Sequence, residues 1–228
     1  MKKEEHKLDN PVWNSLNEFH ENFSIDHKGV KIYNPEYCPF GGLKSTNNLK
    51  PSIDSLPHLI DQIYVFGVNP LLKGKLFLSK EISCLQMILK NSIDREIIEE
   101  IIELKSVNQK KDLINLVHSV LPDMLQSKSF DLGKYYGIYK KKKLIAVIGE
   151  RMKMNKYTEI SSIVTHTEHS GKGYAKQLIK YATDKIFSES KTPYLHVDVS
   201  NANAIKLYEN LGFTIRRKIY CRSVKSNL

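Results

Sequence analysis

The chain has 228 residues, 41% hydrophobic and 26% charged, enough to bury a core without disulfides or an oligomer, and it holds no low-complexity block or solenoid repeat. Three cysteines, odd in number and far apart, support neither a disulfide framework nor a zinc site, and eight scattered histidines give no ligand cluster, so no metal is expected. The formal net charge of +10 is uneven, with 11 Lys+Arg against 10 Asp+Glu in residues 1–93 and 24 against 15 in residues 94–228.

A basic C-terminal part suits a polyphosphate, a nucleic acid or an anionic membrane, although its plainest reading is a solvated lysine-rich surface. No run of about 18 apolar residues occurs, and the opening MKKEEHKLDN has no apolar leader, so a cytoplasmic protein is expected.

Along the chain, Trp13, Leu16, Phe19 and Phe23 fall at helix-like spacing, and Val30–Tyr33 reads as a strand followed by a Pro/Gly-rich loop over residues 34–42. A short helix is expected near Asp54–Asp61, a strand at Ile63–Val68 and a mixed segment at Leu76–Leu89. This first part, residues 1–93, reads as a small α/β region of unknown role: a degenerate partner half, a lid or a dimerisation element, which leaves a homodimer open. Then Ile101–Leu104 reads as a strand. Ser106 and Gln109 form a capping box opening a helix through Leu121, which Pro122 stops. Tyr135–Tyr139 and Leu144–Met152 pair around Lys140–Lys143, a solvated turn with no binding role. Thr158–His166 is a strand and Tyr174–Phe187 a helix with Ala175, Leu178, Ile179, Ala182 and Ile186 on its apolar stripe. Strand Tyr194–Val199, helix Ala204–Leu211 ended by Gly212, and strand Phe213–Cys221 complete an α/β fold, a mixed sheet with helices on both faces.

Between strand and helix stands HTEHSGKGYA, residues 166–175. It is not a P-loop, since Lys172 is followed by Gly173 and Tyr174, and it is not a Rossmann fingerprint, since Lys176 holds the place of the third glycine. The underlying physics remains: a low-bulk loop at a helix start presents unpaired N–H groups and a positive dipole end to an anion, and Gly171 and Gly173 let a phosphate approach the main chain. A tight strand-to-helix turn would use the same residues.

The loop and the later segment NANAIKLYENLGF, residues 201–213, occur in a fixed order with the strands and helix between them. Over residues 94–228 the sequence resembles the GNAT superfamily of N-acetyltransferases, especially its glycine N-acyltransferase-like branch, through V-x(6)-G-K-G-Y-A and N-x-x-A-x-x-L-Y-x-x-x-G-F. The resemblance implies a mostly antiparallel GNAT-type sheet, a transferase domain over residues 94–228, and acetyl-CoA lying between two splayed parallel strands, with CoA as product. Ile163, Val164 and Thr165 would then pair with the pantetheine arm. Ser170, Gly171, Lys172, Gly173, Tyr174 and Ala175 would cradle the pyrophosphate. Thr167 and Ser170 depart from the Pro and Arg common in the family, which costs one phosphate contact.

The resemblance also places a catalytic carboxylate at Glu159, twelve residues before Gly171, as base directly or through water. Strand alternation puts Glu159 on the face of Ser161, Ile163 and Thr165. Tyr208 would protonate the departing thiolate, or be a core tyrosine on the stripe Ala204, Leu207, Tyr208 and Leu211. Asn201 would reach the pantetheine or cap the helix. His166 is a reserve base, and no cysteine has a nucleophile context, which favours direct transfer. The expected activity is therefore acetyl-CoA-dependent N-acetylation of a small-molecule or peptide amine, with no nucleic-acid or membrane partner. Two competing classes are a CoA-binding sensor or scaffold without turnover and nucleic-acid binding through the basic C-terminal part. The latter lacks the aromatic-and-basic interleaving of a single-strand platform.

Overall fold

A computed structural model describes residues 2–27, 29–44, 61–72, 74–121 and 128–226. In chain order its elements are α1 (Pro11–Leu16), β1 (Ser24–His27), β2 (Val30–Tyr33), β3 (Phe40–Leu43), β4 (Gln62–Phe66), β5 (Leu76–Ile88), β6 (Ile102–Glu103), α2 (Val107–Val120), β7 (Tyr135–Lys140), β8 (Lys143–Lys153), β9 (Tyr157–Thr165), α3 (Tyr174–Ser188), β10 (Thr192–Asp198), α4 (Ala202–Glu209) and β11 (Thr214–Ser226). Helix α2 starts where the capping box puts it: the Ser106 hydroxyl accepts from Gln109 N and the Gln109 side chain accepts from Ser106 N. At the β7–β8 turn Lys141 and Lys142 both take positive φ, the pair of left-handed residues that matches the twist of a two-residue hairpin.

All described strands join one sheet of order β1-β2-β3-β4-β11-β5-β10-β9-β8-β7-β6, antiparallel except at β3–β4 and β9–β10. Helices cover both faces. Leu113, Leu116 and Val117 of α2 pack on Val147 and Val164, while Leu178, Ile179 and Ala182 of α3 pack on Ile148 and Ile160. Val147 and Ile148 are neighbours on one strand and so point to opposite sides. Helix α1 buries Val12 and Leu16 against Met152, Met154 and Tyr194 on a further core cluster. Among the described residues no helix is long and apolar enough to cross a membrane.

Several expectations shift. The Pro/Gly-rich segment ends in strand β3 rather than a loop. A Cβ at Gly41 would meet the Ile63 side chain at 2.3 Å, and one at Gly42 the Trp13 main chain at 2.3 Å, so these glycines serve close packing of β4 and α1. The helix-like run from Trp13 to Phe23 is α1 followed by a separate turn at Glu21–Phe23. The mixed segment is the single long strand β5, whose first half is largely exposed and whose second half is largely buried, so no one period describes it. The sheet runs across the boundary expected at residues 93/94: β5 lies between β10 and β11, and β4 pairs with β11. The helix expected near Asp54–Asp61 and the stop at Pro122 lie outside the described residues, apart from Asp61 itself.

Candidate active site

Strands β9 and β10 run parallel for only three pairs, Tyr157↔Thr192, Thr158↔Pro193 and Glu159↔Tyr194, after which both continue without each other. The cause is local. On its other edge β9 pairs Ser161 with Gly149 and Val164 with Val147, so β9 spends one residue more than β8 over this step, and Ser162 takes φ +51°. An extra residue of this kind bends a strand and ends its pairing. The main chain of Ile163, Val164 and Thr165, bonded to β8 on one side, therefore faces an open gap on the other.

The same bulge corrects the alternation argument. Ile160 and Ile163 both face α3, whereas Glu159 and Ser162 both face the α1/α2 side, so Glu159 does not share a face with Ile163. One inserted residue reverses every side chain after it.

At the end of the gap the chain makes a short 3-10 turn at Thr167–His169, whose amides are tied back, with His166 Nδ1 accepting from Glu168 N. Beyond it the amides of Gly171 to Lys176 have no backbone acceptor among the described residues, and α3 starts at Gly173 without a side-chain cap. Gly171 and Gly173 have φ of +76° and +82°. A Cβ at Gly171 would meet nothing within 4 Å, so the space over the loop is open, and one at Gly173 would stand 3.8 Å from Arg95 Nη2. Both glycines thus serve the turn and leave room for a ligand. Arg95 and Lys172 set positive charge beside the helix start.

Glu159 stands at the last paired position and is 1% exposed at its side chain. Arg151 on β8 grips it with Nε and Nη2, each at 2.7 Å, and His196 Nδ1 on β10 lies 2.8 Å from Oε1. The neighbours assign the imidazole protons. Arg216 Nη1 donates to Gln86 Oε1 at 2.8 Å, and Gln86 Nε2 donates to the Leu8 carbonyl at 2.8 Å and points at His196 Nε2 at 3.0 Å. His196 Nε2 therefore accepts and Nδ1 donates to Glu159. Burial opposes the charge of Glu159, but the Arg151 guanidinium and the hydrogen bonds from Arg151 and His196 prevail and hold its carboxyl at about 2. The same partner raises Arg151. A carboxylate with both oxygens engaged and so low a pKa is poorly suited to the base role expected of it.

On the far side of this cluster lies a cavity of about 360 Å³. Ser162 of β9, His196 of β10 and Arg151 of β8 line it, and Phe40, Tyr64 and Phe66 form its aromatic wall, the Phe66 ring lying 5.0 Å from the His196 ring. Phe40 and Phe66 pack edge to face at 5.5 Å, and the Arg151 guanidinium sits 4.7 Å over the Phe40 ring. Cys38, Cys84 and Cys221, distant in sequence, all line the same cavity, and burial pushes their thiols to about 12, 11 and 12. They stay protonated near neutral pH.

Tyr208 packs in the α3/α4 core, 9% exposed with its ring edge-on to Phe213, and burial pushes its phenol up to about 12. Asn201 caps α4: its Oδ1 accepts from Ala204 N at 3.1 Å. Among the described residues no group of three His, Cys, Asp or Glu side chains could hold a metal. Sequence reasoning missed Arg151, His196, Ser162 and Arg95. Only Arg151 left a signal, as one of two charges interrupting the apolar run Leu144–Met152.

Residues 135–222 match the FR47-like protein family model. The chain is 45% identical over 53 residues to a spermidine N(1)-acetyltransferase of Vibrio cholerae, a match that spans 22% of this chain and only 31% of that relative. Its fold is similar to a crystal structure from Novosphingobium aromaticivorans assigned to the GNAT family, with TM-score 0.88, 27% identity, 98% of this chain and 100% of that one covered. It is also similar in fold to a GCN5-related N-acetyltransferase from Kribbella flavida, with TM-score 0.59, 9% identity and coverage of 95% and 94%.

Proposed function

We propose that this chain, a member of the GNAT N-acetyltransferase superfamily, moves an acetyl group from acetyl-CoA directly to a primary amine, releasing CoA. One observation carries the reading: the gap beyond Glu159 and Tyr194 lies between an open amide cradle at residues 171–176 and a cavity lined by Ser162 and His196 of the two parting strands. The residues present fit the coenzyme. Ile163, Val164 and Thr165 offer an unpaired strand edge to its amide-bearing arm, and the loop amides with Lys172 hold its pyrophosphate, Arg95 standing in for the cation that Ser170 does not supply. When bound, acetyl-CoA supplies an acyl group activated as a thioester.

In this chain Glu159 is a positioning residue. It fixes Arg151 and His196 at the mouth of the cavity rather than taking a proton, so the amine enters neutral and releases its proton toward solvent. Tyr208, whose phenol stays protonated at neutral pH, is the proposed acid for the departing sulfur. The three cavity thiols are protonated and poor nucleophiles, which supports direct transfer without an acyl-cysteine. The loop pattern supports placing the chain in the glycine N-acyltransferase-like branch, and three cysteines, few and odd in number, support a cytoplasmic setting.

Calorimetry with CoA and initial-rate kinetics of thiol release test the reading. Saturable CoA binding and double-reciprocal lines that intersect are expected. Absence of CoA binding would remove the proposal, and parallel lines would replace direct transfer with a covalent intermediate.

A further inference from the structure

The cavity beyond the gap also constrains what is acetylated. Its aromatic wall comes from the first part of the chain, Phe40 on β3 with Tyr64 and Phe66 on β4, and Ile82 on β5 and Leu132 add apolar surface. Among the described lining residues Arg151 alone carries a full charge, and its partner Glu159 is 1% exposed and held by Arg151 and His196. Among the described residues no lining side chain is a carboxylate. An ammonium group entering such a space loses its hydration, meets no counter-charge and faces a guanidinium. An apolar body of similar volume instead gains contact with three aromatic rings.

Resting on the transferase reading above, we infer that the acceptor is a compact amine on an uncharged aromatic or branched apolar body, and that Phe40, Tyr64, Phe66 and Ile82 select it. A polyamine is excluded by the same lining, because every added ammonium would be buried without a partner. The reacting nitrogen sits on the Ser162 side, next to the gap, and the body packs against Phe40, Tyr64 and Phe66.

The test measures thiol release from acetyl-CoA by the full chain with 2-phenylethylamine, isoamylamine, spermidine and L-phenylalanine, alongside calorimetry with CoA. The expected result is a kcat/KM for 2-phenylethylamine at least 100-fold above that for spermidine. Ile82→Glu should cut the 2-phenylethylamine value tenfold or more and narrow the gap to spermidine, and Tyr64→Ala should lower it with CoA affinity unchanged. Equal or better use of spermidine would overturn the inference. So would L-phenylalanine outperforming 2-phenylethylamine, which would mean that Arg151 receives a carboxylate. If CoA binds and no apolar amine releases thiol, the acceptor class falls while the coenzyme site stands. If CoA does not bind, both fall.

Discussion

At the scale of single residues, the buried ion pair is the part of the site that carries most consequence. Glu159 and Arg151 are held by two 2.7 Å hydrogen bonds, with the Glu159 side chain 1% and the Arg151 side chain 22% exposed, so removing one charge strands the other. Glu159→Gln should therefore cost about 3 kcal/mol of stability as well as turnover, read by chemical denaturation. A base would instead give loss of rate with stability intact. His20 sets a second residue-scale expectation. It is fully buried, gives Nε2–H to the Leu132 carbonyl at 2.8 Å and faces the Tyr33 hydroxyl through Nδ1 at 2.7 Å. Burial lowers it to about 4 from its ordinary 6.5. The unfolded chain then binds a proton that the folded one refuses, so this contribution is whole above pH 6.5 and is lost as pH falls toward 4, up to about 3 kcal/mol. Denaturant melts across that window should slope downward with acid, and His20→Gln should flatten the slope. Glu159 adds a separate loss: its depressed pKa contributes stability that is whole above the ordinary carboxylate value of 4.5 and is lost progressively as pH falls from there to about 2. Glu159 could be picked out by its distance from Gly171, but its role could not. That role depends on Arg151 eight residues back and His196 thirty-seven ahead, which fold brings together and spacing does not.

At the scale of elements, the strand–loop–helix unit from β9 to α3 has two irregularities in order: a bulge at Ser162, just past the last pair with β10 at Glu159, and a loop that leaves amides uncapped. Gly173→Ala keeps ordinary contact with Arg95 but forces a side chain into φ +82°, which costs roughly 1–2 kcal/mol. The relaxed loop would turn its amides away, so CoA affinity should drop about tenfold by calorimetry. Arg95→Ala should weaken CoA several-fold, and more at low ionic strength than at high, because its contribution is charge at a solvent-open site. The helices and the β7–β8 hairpin were legible from local signals, namely the capping box, the apolar stripes and the lysine turn. The bulge was less legible: the adjacent Ser161 and Ser162 set Ile160 and Ile163 three residues apart, which breaks a period of two, but the break does not say which residue is extra. The Pro/Gly-rich segment misled for the opposite reason: glycine was read as a turn signal where it answers a close approach by Ile63 and Trp13.

At the scale of the whole molecule, the motif-bearing segment and the first 93 residues form one sheet whose order crosses between them. Strand β5 pairs with β11 through twelve register positions and with β10 through five, and β4 takes the other edge of β11. Local periodicity could not reveal this, since which strand β5 chooses as neighbour is a non-local decision made by packing. A fragment of residues 94–228 would leave β11 with no partner on either side. It would hold β10 by only its three pairs with β9 and expose Met87's former contacts in the α3/α4 core to water. That fragment should show no cooperative thermal transition, although it contains every loop and strand proposed to hold CoA, and co-expression with residues 1–93 should restore both the transition and CoA binding. Circular dichroism melts and calorimetry on the two preparations decide it. A lone fragment that melts cooperatively and binds CoA would mean that the first part is an appended unit, and that the aromatic wall it lends the cavity is an addition to a site already complete.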